Sequence, residues 1–283
     1  MSFDGLRVIS LESRRAPEME SLILRESGSP FVAPSVKERA VDDDGTALRF
    51  IEQLEAGGFD LVICMTAVGL TVLRDISAAS GNVDRLASAL RRATIVSRGP
   101  KPIGVLRALG VPVEIVIPEP NTWREIVTAV AIRPERRIAV QEYGRPNAEM
   151  NRALEAIGAA VTPVTLYRWE LPDDLRPLRE AARRIAAGEC DVLLFTSSIQ
   201  LDHLFEIAAG MGLEDSVRRA LSHLAIASIG PVMTSALEAC GCTPDIVPRH
   251  PKMWALVKAA SEQAAFVLAA KRSRATSATA PRP

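Results

Sequence analysis

Short apolar runs alternate along most of the chain with longer stretches in which apolar residues recur at helical spacing. Residues 6–11, 60–65, 94–97, 138–141, 192–195 and 225–229 read as strands. Residues 18–25, 47–55, 149–157 and 175–187 read as amphipathic helices, and several such stretches end at glycine, the residue a helix C-terminus prefers. Strands and helices in this alternation predict an α/β fold, a parallel sheet covered by helices.

The pattern also repeats. Asp60 opens a strand running into Thr66, and Asp191, 131 residues later, opens one running into Ser197. At the same spacing Leu90-Arg-Arg-Ala-Thr-Ile-Val-Ser-Arg-Gly-Pro100 matches Leu221-Ser-His-Leu-Ala-Ile-Ala-Ser-Ile-Gly-Pro231, Gly110 matches Gly241, and Glu114-Ile-Val116 matches Asp245-Ile-Val247. One residue out of that register, Arg7-Val-Ile-Ser-Leu-Glu-Ser-Arg-Arg15 resembles Arg137-Ile-Ala-Val-Gln-Glu-Tyr-Gly-Arg145. The chain reads as blocks A, B and C followed by A, B and C again. So long a period means duplicated domains, because solenoid repeats run to only about 20–50 residues. Two assemblies satisfy it: either each domain is a contiguous half, or the first A joins the second B and C while the second A joins the first B and C. Periodicity does not choose between them.

A chain of 283 residues with 48% apolar positions can bury two ordinary cores. Lys plus Arg and Asp plus Glu number 34 each, so no global field favours nucleic acid or an anionic membrane, and any anionic ligand must be held by local charge. No segment reaches the roughly 18 uninterrupted apolar residues of a membrane span, and Met1 to Ser10 carries Asp4 and lacks the apolar stretch of a signal peptide. A soluble, cytoplasmic protein is expected. Cys64, Cys190, Cys240 and Cys242 are too few and too irregularly placed for a disulfide framework or a four-ligand zinc site, and are expected as reduced thiols packed like small hydrophobes. His203, His223 and His250 are scattered, so no metal is expected. There is no dinucleotide-binding glycine motif, no Walker A loop, no His-Glu-x-x-His and no Gly-x-Ser-x-Gly elbow.

In doubly wound sheets ligands bind beyond the carboxyl ends of the strands. Those ends hold Ser13-Arg14-Arg15, Thr66-Ala67-Val68-Gly69, Arg98-Gly99-Pro100-Lys101, Glu142-Tyr143-Gly144-Arg145, Thr196-Ser197-Ser198 and Gly230-Pro231. Small, hydroxylic and basic residues of this kind suit a ligand with several carboxylates. Each also has a plainer use: Gly-Pro as a turn, Thr-Ser-Ser as a helix cap, Arg98 and Lys101 as solvated charge.

In their order, Asp191-Val-Leu-Leu-Phe-Thr-Ser197, Ala225-Ile-Ala-Ser-Ile-Gly-Pro231, Val96-Ser-Arg-Gly-Pro-Lys101 and the run from Ala139-Val-Gln-Glu-Tyr-Gly144 through Leu154-Glu-Ala-Ile-Gly-Ala-Ala160 to Val164-Thr-Leu-Tyr167-Arg-Trp169 resemble the uroporphyrinogen-III synthase family. The resemblance covers roughly residues 6 to 260. It implies the exchanged assembly: two flavodoxin-like α/β domains with parallel sheets, joined by a two-strand connector, with a cleft between them. One domain would take residues 1–38 and 172–265 and the other 39–171, with crossings near 34–41 and 165–172. Residues 266–283, which beyond Lys271 are Arg, Ser, Thr, Ala and Pro, are expected to be a disordered tail.

The activity implied is closure of hydroxymethylbilane to uroporphyrinogen III, with loss of water and inversion of the last pyrrole ring. It would need no cofactor, act as a monomer, and have the small-molecule octacarboxylate as its partner. Tyr167 stands where the family's tyrosine does and is the implied proton donor; packing at the connector is its other reading. Thr66, Thr196, Ser197, Ser198 and the amides after Gly99 and Gly230 would bind acetate and propionate groups, and Arg14, Arg15, Arg98, Lys101, Arg145 and Lys252 would add charge. Two positions depart from the family. Met65-Thr66 replaces a Thr-Ser pair, and Met233, followed by Thr234, stands where a Thr normally follows Gly-Pro-x. A non-catalytic binder of a tetrapyrrole or small anion, or a regulatory protein that keeps the fold, is the alternative.

Overall fold

The computed structural model describes residues 2–41, 45–81 and 83–279. Block A gives β1 (Arg7–Ser10), α1 (Ala16–Arg25) and β2 (Ser29–Val32), followed by β3 (Lys37–Ala40). Blocks B and C give α2 (Thr46–Glu55), β4 (Leu61–Cys64), α3 (Ala67–Ala79), α4 (Val83–Leu90), β5 (Thr94–Ser97), α5 (Pro100–Ala108), β6 (Ile115–Val116) and α6 (Trp123–Ala131). The second A gives β7 (Arg137–Gln141), α7 (Ala148–Ala156) and β8 (Ala160–Val164), then β9 (Tyr167–Glu170). The last blocks give α8 (Arg176–Ala186), β10 (Val192–Phe195), α9 (Ile199–Gly210), α10 (Glu214–Leu221), β11 (Ala225–Ser228), α11 (Pro231–Ala239) and α12 (Met253–Thr279).

Strand pairing chooses between the two assemblies. One parallel sheet has the order β11-β10-β1-β2 and the other β6-β5-β4-β7-β8, so each A block lies beside the other half's B strand. The register is the same in both: Val8 lies opposite Val192, and its counterpart Ile138 lies opposite Leu61. The chain accordingly divides into one compact unit of Met1–Lys37 with Leu171–Pro283 and another of Glu38–Glu170. β3 and β9, at the boundary, form a two-stranded sheet of their own.

An arginine clasp marks each exchanged strand pair. Arg7 donates from Nε and Nη2 to the two carboxylate oxygens of Asp191, each at 2.9 Å, while its backbone N–H also donates to Asp191 Oδ2. Arg137 grips Asp60 in the same way, through Nε, Nη2 and its backbone N–H. Each guanidinium reaches one further carbonyl, Gly188 and Gly57 respectively. Farther along each sheet Glu114 and Asp245 accept from the backbone N–H of Ile95 and Ile226. Bidentate arginine forks of this kind fix geometry as well as adding energy.

Successive side chains on a strand face opposite sides of the sheet, so two apolar layers are needed wherever both faces are covered. Val62 and Cys64 enter a core with α2, α3 and α4, whereas Leu61 and Ile63 enter another with α6 and α7. Leu193 and Phe195 pack with α8 and α9, whereas Val192 and Leu194 pack with α1 and α12.

Two expectations need correction. The tail expected from residue 266 is helical through Thr279; only residues 280–283 lie outside the described residues. Its apolar positions Leu256, Val257, Ala260, Ala264 and Leu268 keep helical spacing and bury against β10 and β11, and Lys271 donates to Leu224 O and Asp245 Oδ2. Composition misled because Ala, Lys and Arg are also strong helix formers. Of the four free thiols, Cys64 and Cys190 are buried, which pushes each up to about 12, but Cys240 is exposed and Cys242 half-buried.

Asp191→Asn should lower stability by about 1 kcal/mol at neutral pH, a modest figure because solvent screens the half-exposed Arg7. Hydrogen bonding to Arg7 holds the Asp191 carboxyl below its ordinary range. Its contribution is therefore present above that range and lost as pH falls. In urea unfolding, the gap between wild type and variant should close well below about pH 4, and a constant gap would contradict the clasp.

Candidate functional site

The strand-end residues fall into both units. Thr66, Arg98, Gly99, Lys101, Arg145 and Tyr167 belong to the unit of Glu38–Glu170, and Arg14, Arg15, Thr196, Ser197, Ser198, Gly230 and Lys252 to the other.

In the first group β4 runs out into Thr66, the N-cap of α3, whose hydroxyl accepts from Gly69 N–H at 3.1 Å. The next strand over, β7, ends at Gln141, whose Oε1 accepts from Thr66 N–H at 3.0 Å. A Cβ on Gly69 would stand 2.1 Å from Gln141 Nε2, so only glycine lets the glutamine reach in. Tyr167, at the start of β9 and 2% exposed, lies with its hydroxyl 3.3 Å from Thr66 Oγ1. Trp169 stands edge-on to Tyr167 and to Tyr143, with ring centroids 6.4 and 5.6 Å away.

Arg98 follows β5. Its Nε donates to Asn121 O at 3.0 Å and its guanidinium lies 5.1 Å from the centre of the Tyr143 ring. No carboxylate among the described residues pairs with it, and burial lowers its pKa from the ordinary arginine value. Glu142 is 1% exposed: Oε2 accepts from Thr165 Oγ1 at 2.6 Å, while Oε1 has no hydrogen-bond partner among the described residues. Lys101, in the first turn of α5, and Arg145 are exposed.

The second group is built differently. Gln200 Oε1 accepts from the backbone N–H of Thr196 and Ser197 at 2.8 and 3.2 Å, and its Nε2 donates to Leu11 O and Thr196 Oγ1. Thr196 Oγ1 also donates to Glu12 Oε2 at 2.5 Å, and Glu12 Oε1 accepts from Arg15 N–H. The side chain of Arg15 is committed to Glu18, whereas Arg14 and Lys252 are exposed and Ser198 is buried. The backbone amides of Thr196 and Ser197, two of the residues expected to bind substrate carboxylates, thus already have an internal acceptor. Gly99 and Gly230 end their strands in extended backbone, and the proline after each withdraws one donor from the helix start. Ser97 and Ser228 donate to the carbonyls of these two glycines. Met233 faces the core below β11, and the hydroxyl at this helix start belongs to Thr234, 3.0 Å from Ser228 Oγ.

Gln141, Trp169 and Gln200 were not singled out from sequence, and Glu142 and Tyr143 were placed at a strand end without a role. One signal was available for the aromatics: the chain has only two tyrosines and three tryptophans, and both tyrosines and one tryptophan fall within residues 143–169.

The family model described as Uroporphyrinogen-III synthase HemD matches residues 17–258. The chain belongs to this family. It is 29% identical over 263 residues to the uncharacterized protein YjjA of Bacillus subtilis, covering 89% of this chain and 94% of that one. It is 32% identical over 93 residues to the uroporphyrinogen-III synthase of Chlorobaculum parvum, about a third of each chain. Among solved structures, a mutant uroporphyrinogen III synthase of Thermus thermophilus aligns with a TM-score of 0.73 at 24% identity, covering 93% of this chain and all of the other. That likeness shows the two-domain fold of the family.

Gly144 joins the two aromatic elements of the site. Its φ is +69°, and a Cβ there would stand 2.5 Å from the Trp169 ring. Gly144→Ala should therefore cost more than the roughly 1 kcal/mol of an ordinary left-handed Gly→Ala change. Thermal unfolding should shift down and the near-UV circular dichroism of the tryptophans should change; an unaltered spectrum and midpoint would contradict the packing.

Proposed function

We propose that this protein is a uroporphyrinogen-III synthase, closing hydroxymethylbilane to the type III ring with loss of water and inversion of the last pyrrole, in tetrapyrrole biosynthesis. Family membership and the shared fold support the reading. The observation that carries it is that the Tyr167 phenol lies against Thr66 at the end of β4, while Arg98, a guanidinium with no acid partner among the described residues, follows the neighbouring strand β5.

Left alone, the substrate closes end to end without inversion. The work is therefore orientation: holding a flexible octacarboxylate so that attack at the substituted carbon of the last ring comes first, an effect on the order of 7 kcal/mol or more when reacting atoms are fixed. Arg98 would take a carboxylate through its fork. The Tyr167 hydroxyl, now against Thr66 Oγ1 at the long distance of 3.3 Å, would turn its proton to the leaving hydroxyl, which departs as water while a pyrrole nitrogen lone pair stabilises the cation left behind. Thr66 keeps the phenol aimed. On this reading the protein acts as a cytoplasmic monomer on a small molecule, with neither nucleic acid nor membrane as partner. Among the described residues no helix is long and apolar enough to cross a membrane.

One observation favours a second reading, a non-catalytic binder of a similar anion: Tyr167 is buried and Gln200 already occupies the Thr196 and Ser197 amides. A single assay separates the two. With hydroxymethylbilane generated in situ and the oxidised products resolved by chromatography, the type III isomer should exceed the protein-free control; no excess leaves only the binder. Tyr167→Phe should cut turnover by about tenfold or more, and unchanged turnover would reduce Tyr167 to a packing residue.

A further inference from the structure

We propose that Arg98, Tyr143 and Trp169 form a subsite for a single pyrrole ring bearing a carboxylate one or two methylenes away. The subsite deepens the synthase reading by naming where one ring of the substrate is held, yet it stands on its own geometry. Its three side chains come from the ends of β5 and β7 and from β9, all within the unit of Glu38–Glu170.

The cation is poised for a guest. Nε of Arg98 is fixed on Asn121 O, which orients the fork, while Nη1 and Nη2 have no hydrogen-bond partner among the described residues. Other arginines of the chain spend their forks on acids: Arg7 on Asp191, Arg85 on Glu55, Arg133 on Glu135, Arg183 on Glu180. A half-buried guanidinium stays protonated, and without a counter-ion among the described residues it favours an anion from outside.

The aromatic side is just as specific. Tyr143 and Trp169 are half-buried, unlike the buried Tyr167, so each residue keeps some surface open to a ligand. Trp169 is pinned rather than loose: Gly144 brings backbone against three atoms of its indole, and the Trp169 backbone N–H donates to Gly144 O at 3.4 Å. Arg98 lies against the Tyr143 ring, so cation and ring surfaces adjoin. A flat, electron-rich heterocycle stacks on such surfaces, and a short acid arm reaches the fork. A bare inorganic anion would use Arg98 and leave both rings idle.

The test uses the full-length protein and 3-(pyrrol-3-yl)propionate, followed by ligand-observed NMR, with propionate alone and the pyrrole methyl ester as controls. For a ligand of this size a Kd on the order of millimolar is expected. Arg98→Gln and Trp169→Leu should each weaken binding about tenfold or more, as should loss of either the ring or the charge from the probe. Tyr143→Leu provides a second aromatic variant should Trp169→Leu disturb folding. The subsite is overturned if wild type shows no saturable binding, if propionate alone binds as well as the pyrrole acid, or if Arg98→Gln leaves binding intact. An absent type III excess with pyrrole-acid binding retained would sink only the synthase reading. Type III formation with unchanged KM in Arg98→Gln would sink only the subsite.

Discussion

The constraint on which the rest of the structure depends is the parallel pairing of each A strand with the B strand of the other half, clasped by Arg7 on Asp191 and Arg137 on Asp60. Because β7 lies beside β4, Gln141 reaches the Thr66 amide, and Tyr143, just past the end of β7 and one strand away from β5, comes within reach of Arg98. Were β7 paired with β10 instead, Tyr143 would not lie over Arg98. Apolar burial on both sheet faces supplies the larger share of stability; the clasps, partly exposed, set partner and register more than they add energy.

The two units share a plan and differ in what they do with it. Equivalent strand-end amides are covered by a glutamine carboxamide in each, but Gln141 comes from the neighbouring strand and Gln200 from the helix that follows. Around that shared feature one unit gathers aromatic rings and a guanidinium with no acid partner among the described residues, the other hydroxyls and Glu12. Duplication preserved the backbone and the clasps, where both copies need the same thing, and let the strand-end side chains diverge.

Much of the fold was legible in the sequence because buried parallel strands are apolar throughout and helices keep their period: β5 and β10 fall on residues 94–97 and 192–195, as read. The choice of assembly was not legible from periodicity, since Arg7 and Arg137 are equivalent and either could satisfy Asp60 or Asp191; only the family resemblance pointed to exchange. α12 was cut short because alanine-rich sequence reads alike as tail and as helix. The site was half legible. Thr66, Arg98 and Tyr143 stand beyond the carboxyl ends of β4, β5 and β7, where the strand pattern put them. That the Tyr167 hydroxyl meets Thr66 and that Trp169 meets Gly144 needed the close approach of β9 to show. Nor could the sequence show that Met233 turns into the core while Thr234 carries the hydroxyl.

Exchange makes one unit continuous in the chain, with a complete sheet, two apolar layers and every residue of the aromatic and arginine cluster. A polypeptide of residues 38–170, heated while tryptophan fluorescence and far-ultraviolet dichroism are followed, tests this directly. It should unfold in one cooperative transition seen at the same temperature by both probes. A chain that is unfolded by itself and orders only when residues 1–37 are restored would contradict the exchanged architecture.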